Sequence, residues 1–125
     1  MDGLDLDLDK DIAIDVTDLQ SEWVRLPALA YRYSKLAAEA EATHSLEKAI
    51  LDELKAAKYI KLKNDFPKLT ENGVEAHTDT DSEIKEQLRK VLLVKRDCDT
   101  LKGFLKGILV KESMLIQLGA SSRAQ

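Results

Sequence analysis

A single cysteine, Cys98, in 125 residues excludes an intrachain disulfide and a cysteine-clustered metal site. Six aromatic residues, five glycines and two prolines are too few for a sandwich core or a many-turned β fold, whereas 34% charged residues suit long helices with much wet surface. The net charge of −4 hides a segregation: residues 1–18 hold seven Asp and one Lys, 55–68 five Lys and one Asp, 69–84 five acids and no Lys or Arg, and 85–111 eight bases and three acids.

In chain order, the opening residues alternate aspartate with leucine. Period two suits an edge strand, but the like charges repel, so residues 1–10 are expected to form an acidic flexible tail. Residues 12–16 suit a short strand paired within an assembly. Thr17-Asp18-Leu19-Gln20 has the form of a capping box and opens a short helix over 18–25. Pro27 disfavours helical geometry at Leu26 and fits the first turn of a new helix.

That second helix is predicted over 27–62. Leu29, Tyr33, Leu36, Ala40, Thr43, Leu46, Ile50, Leu54 and Ala57 mark its apolar stripe. The segment 63–82 reads as a connection with one helical turn near 70–75. The last helix is predicted from Ser82 to Leu118, with Ile84, Leu88, Val91, Val94, Cys98, Leu101, Leu105, Ile108 and Leu115 on its seam. Gly119 supplies the stop and 121–125 a loose end. The fold class is therefore all-α. A short N-terminal helix and two long helices form an antiparallel hairpin, with residues 11–120 as one helical domain and a possible short N-terminal strand. One hairpin has a thin core, which favours a homo-oligomer.

No enzyme signature is present. His44 and His77 have no ligands at metal spacing. There is no phosphate-binding glycine loop, dinucleotide fingerprint or nucleophile elbow, so neither cofactor nor metal is implied. Cys98 lies on the seam and reads as a small core residue. Gly103 and Gly107 form a G-x-x-x-G pair, which predicts a close helix contact, with a local bend as the rival. No apolar run approaches the roughly 18 residues that span a bilayer. The acidic start is unlike a secretory leader, so a cytoplasmic setting is expected.

The basic islands have two readings. Lys55, Lys58, Lys61 and Lys63, interleaved with Tyr59 and Phe66, combine phosphate-holding charge with stacking faces, as in single-strand binders. Lys85, Arg89 and Arg96 share a stripe of the last helix and can extend that path if the hairpin is antiparallel. Alternatively, both islands are solvated faces with pairs such as Glu86–Lys90.

Several patterns point further. Residues 11–20, DIAIDVTDLQ, look like a "D-[hydrophobic]-x-I-D-x-x-x-L" opening. Glu22-Trp23, Pro27, Tyr31-Arg32-Tyr33-Ser34-Lys35, Leu54-Lys55-Ala56 and the late Met114-Leu115-Ile116-Gln117-Leu118-Gly119 follow in order. In these the chain resembles the UvsY-type recombination mediators of tailed phages. The resemblance implies a homo-oligomer that binds single-stranded DNA, helps displace the single-strand DNA-binding protein and loads a RecA-like recombinase. It carries Lys55 over as a DNA contact. The family's arginine two positions later is Ala57 here, followed by Lys58. The acidic tail then reads as a mimic of a single-strand binding protein's tail, or as a cover for the basic islands. The competing function is a structural or adaptor coiled coil of phage assembly or scaffolding, without DNA binding.

Overall fold

A computed structural model describes residues 7–124, with the side chains of 7–121. Residues 1–6 of the expected acidic tail and Gln125 of the expected loose end lie outside the described residues. The chain is all-helical: α1 spans Leu8–Ile12, α2 Leu19–Asp65, α3 Glu71–Asp79 and α4 Ser82–Ala124. No strand occurs among the described residues.

Asp7 caps α1 by accepting the Lys10 backbone N–H at 3.1 Å, so residues 8–10 are helical rather than irregular. Ala13 leaves the helix in an extended conformation. The strand pairing suggested for 12–16 would need a second chain.

The start of α2 departs from the capping box read at Thr17. The cap is Asp18, whose carboxylate accepts the Ser21 backbone N–H at 3.2 Å and the Ser21 hydroxyl at 2.7 Å. Thr17 instead donates both its hydroxyl and its N–H to Asp15. The hydroxyl first and the N–H second hold the Asp15 carboxyl below its ordinary value.

From there α2 runs straight through Pro27, joining the two helices expected over 18–25 and 27–62. A proline in a helix interior forfeits one backbone hydrogen bond. Here Pro27 is exposed, while Leu26, Leu29 and Tyr33 are buried beside it, and their burial offsets that loss.

The connection holds more helix than one turn. Thr70 accepts the Gly73 N–H at 3.1 Å and opens α3, which continues to Asp79. A Cβ on Gly73 would stand 2.6 Å from Leu69 Cδ1, so glycine lets Leu69 fold over the first turn. Asp81 then caps α4 by accepting the Ile84 N–H at 3.0 Å. At its far end α4 does not stop at Gly119 but remains helical through Ala124. The site of the missing Gly119 Cβ lies 4.0 Å from Trp23 Nε1.

Two compact units divide the chain: Met1–Glu39 with Asp97–Gln125, and Ala40–Arg96. The first buries Leu26, Leu29, Tyr33, Ile108 and Leu115, with Leu8, Ile14, Leu19 and Phe104 against them. Tyr33 meets Phe104 edge to face, centroids 6.1 Å apart. The second buries Leu51, Ile84 and Val91, flanked by Leu54. There the Gln87 amide donates to the Glu47 carbonyl oxygen at 2.8 Å and to its carboxylate at 2.6 Å. In each unit the α2 and α4 segments pack antiparallel.

The first unit also holds a polar knot. Lys111, 1% exposed, donates to the Asp11 carbonyl oxygen at 2.7 Å and pairs with Glu22 at 2.6 Å. The Tyr33 hydroxyl donates to the Asp11 carboxylate at 2.6 Å, and Arg25 approaches both acids, at 3.9 and 3.6 Å. Together these contacts tie α1 to α2 and α4. The glycine pair serves this docking only in part. The Cβ site of Gly107 meets Ile12 Cγ2 at 3.5 Å, while that of Gly103 has nothing within 4 Å. A close approach of the two long helices at Gly103 is therefore not found.

Candidate nucleic-acid interface

The candidate residues on α2 lie in the second unit, at or just beyond Leu54. A helix advances about 100° per residue, so Lys55, Lys58 and Lys61 spread over roughly a third of its circumference. They do not stand alone. The acidic stretch 69–84 folds back as α3 and the start of α4, and it engages this island.

Lys58 pairs with Asp81 at 3.1 Å, both half-buried. The Ile84 backbone N–H first and the Lys58 ammonium second hold the Asp81 carboxyl below its usual range. Lys63 donates to the Leu69 carbonyl oxygen at 2.8 Å and pairs with Glu71 at 3.3 Å. The Tyr59 hydroxyl donates to the same Glu71 at 3.2 Å, and the Lys63 ammonium lies 5.9 Å from the Tyr59 ring centre. Tyr59 as a whole is 42% exposed.

Lys55 and Lys61 are exposed and form no ion pair among the described residues. Two clefts set their surroundings. One is lined by Lys55 and Tyr59 from α2 and by Glu71, Val74, Glu75, Thr78 and Asp79 across from them. The other joins Lys58 and Lys61 to Asp81, Glu83 and Ile84. The charged residues that face the island from the start of α4 are thus the acids Asp81 and Glu83, not the arginines expected to extend its path. Arg89 is exposed with Glu86 at 3.9 Å, and Arg96 is exposed and engaged within the chain.

The structure brings Lys55, Lys58, Tyr59, Lys61 and Lys63 together on one stretch of α2. Arg89 instead lies beside Glu86 of its own helix. The participants missed by the sequence reading are Glu71, Glu75 and Asp79. Their spacing of four was visible, and so was the charge block next to the lysines. Without a helix over 71–79 there was no reason to place that block against them.

Chemically, the arrangement offers two available ammonium groups, an aromatic face and no nucleophile–base pair. Among the described residues no group of three His, Cys, Asp or Glu is placed to hold a metal ion. No helix there is long and apolar enough to cross a membrane. Apolar side chains stay uncovered in this unit, including Leu46, Ile50, Ile60, Leu92 and Leu93. No protein-family model, curated protein or solved structure matches the chain.

Proposed function

We propose that this chain is a recombination mediator. As a homo-oligomer it binds single-stranded DNA and helps load a RecA-like recombinase onto strands covered by single-strand DNA-binding protein. The carrying observation is Lys55: the residue that the resemblance assigns to DNA stands exposed on α2, without an ion pair and beside the Tyr59 ring. Phosphates are held by Lys55 and Lys61, with Arg89 and Arg96 as outlying candidates, and a base stacks on Tyr59. Lys58 serves mainly as the partner of Asp81. The work is positioning and handover, with no covalent step. Repeating a small site around an oligomer supplies affinity that one protomer lacks.

The test is fluorescence anisotropy of a labelled oligothymidine at low and moderate salt, with light scattering on the same samples. Binding should fall with salt at a slope near −0.7 per phosphate neutralised. The paired change Lys55→Glu, Lys61→Glu should abolish it at unchanged oligomer size, and survival of binding would reject the assigned site. A second reading, an adaptor coiled coil indifferent to DNA, is favoured by the acids that engage Lys58 and Lys63 and by the uncovered apolar side chains. A defined oligomer that ignores oligothymidine at low salt would select it.

A further inference from the structure

The basic island of α2 already has an anionic occupant, namely α3. Glu71, Glu75 and Asp79 recur every four residues and line one face of this nine-residue helix. That face lines, opposite Lys55 and Tyr59, an open cleft of about 360 Å³. Glu71 takes the Lys63 ammonium at 3.3 Å and the Tyr59 hydroxyl at 3.2 Å. These are among the groups a nucleic-acid strand would use.

The attachment of α3 is slight. Val74 is its one buried hydrophobic side chain, and Glu71 is 73% exposed. Exposed ion pairs of this kind are weak and easily exchanged. Asp81 differs, because it also caps α4 and is half-buried with Lys58. The line between exchangeable and fixed contacts therefore falls between Asp79 and Asp81.

We propose that α3 is an autoinhibitory lid whose carboxylates stand in for phosphates, so that a single strand entering at Lys55 binds fully by displacing it from Tyr59 and Lys63. This rests on the single-strand-binding reading above and adds its regulation. The lid engages Lys63 and the Tyr59 hydroxyl and leaves Lys55 and Lys61 open to the first phosphates of a strand. A continuous strand displaces it, because many phosphates compete at once with three carboxylates and release counterions as they bind.

The test compares the full chain with the variant Glu71→Gln, Glu75→Gln, Asp79→Asn. A control, Asp9→Asn, Glu41→Gln, Glu112→Gln, removes equal charge away from the cleft. Labelled oligothymidine is titrated at low salt, and amide hydrogen exchange of residues 74–78 is followed with and without it. The lid variant should bind about threefold more tightly than the control, as expected for the loss of one exposed ion pair. In the unaltered protein, exchange over 74–78 should quicken when the strand is added. Equal affinities of lid variant and control, or exchange that slows on binding, would overturn the lid and leave strand binding standing. Failure of both the unaltered chain and the lid variant to bind would overturn the lid and the single-strand reading together. The exchange measurement needs no substitution, so a misfolded variant does not shelter the proposal.

Discussion

The Lys111 ammonium lies 2.6 Å from the Glu22 carboxylate, with their side chains 0% and 6% exposed. Neither charge can regain water while the fold is intact. Lys111 is also 2.7 Å from the Asp11 carbonyl oxygen, so one side chain secures α1 and α2 at once. Removing it strands two acceptors. Lys111→Met should cost about 3–5 kcal/mol, the usual penalty for leaving a buried charge unpaired. The double change Glu22→Gln, Lys111→Met should cost clearly less than Lys111→Met alone. Urea unfolding of the four proteins in a double-mutant cycle checks both statements.

Tyr33 tests the same knot from the other side. Burial first, and the hydrogen bond to Asp11 second, push its phenol up to about 12 from 10.0. The folded state thus favours the neutral phenol. The stability it lends is complete below pH 10, the unfolded value, and is lost as pH rises through about 12. Tyr33→Phe removes a hydrogen bond to a charged group and should cost about 1.5–3 kcal/mol near neutrality. In a near-ultraviolet titration, a tyrosinate step near pH 12 should be present in the native protein and missing from Tyr33→Phe.

Gly103 offers a stabilising change. A Cβ there meets nothing within 4 Å, and the residue is well inside α4. Gly103→Ala should raise stability by about 1 kcal/mol through helix propensity. In a chain of this size that is roughly 4 °C in Tm. A fall in Tm would mean that the glycine touches another molecule. Gly107→Leu should act oppositely, since its side chain would press on Ile12 and lift α1 from the knot.

Asp81 sets a limit at acid pH. Its carboxyl is held below 3.8, first by the Ile84 N–H and then by Lys58. Its contribution is therefore complete above the unfolded value and fades as pH falls through the lowered folded one. At neutral pH the order of Tm should be native, then Asp81→Asn, then Asp81→Ala, because asparagine keeps the cap but loses the ion pair. The gap between native and Asp81→Asn should close in acid. Thermal melts across the acid range decide it.

The apolar stripe of α4 was almost wholly legible. Ile84, Val91, Cys98, Leu101, Ile108 and Leu115 are buried as its spacing implies. Val94 and Leu105 are half-buried, and Leu88 is exposed while its neighbour Gln87 is buried on Glu47. On α2 the stripe residues Leu36, Ala40 and Leu54 are half-buried as read, but the reading slips by one residue at Thr43, Leu46, Ile50 and Ala57. The inward line passes through Ala37, His44, Glu47, Leu51, Lys58 and Leu62 rather than Thr43, Leu46, Ile50 and Ala57. A strict 3.5-residue seam drifts against a 3.6-residue helix. Three of the inward positions carry polar side chains, two of them met by partners, Glu47 by Gln87 and Lys58 by Asp81, so hydrophobicity alone points to the wrong neighbours. The lysine island was legible as a cluster. Its engagement by α3 was not, because ion pairs across a turn depend on where the turn places them.

The second unit is one unbroken run of chain, Ala40–Arg96, whereas the first is assembled from both sides of it. During synthesis, the inner run has all its parts once Arg96 has left the ribosome. The outer unit must wait for Lys111, one hundred residues after Asp11. Until then Leu26, Leu29 and Tyr33 travel without the Ile108 and Leu115 that cover them. The nascent chain is therefore open to premature association around Leu26, Leu29 and Tyr33 until Ile108 and Leu115 are made, and chaperone demand should track that segment rather than the one that covers it.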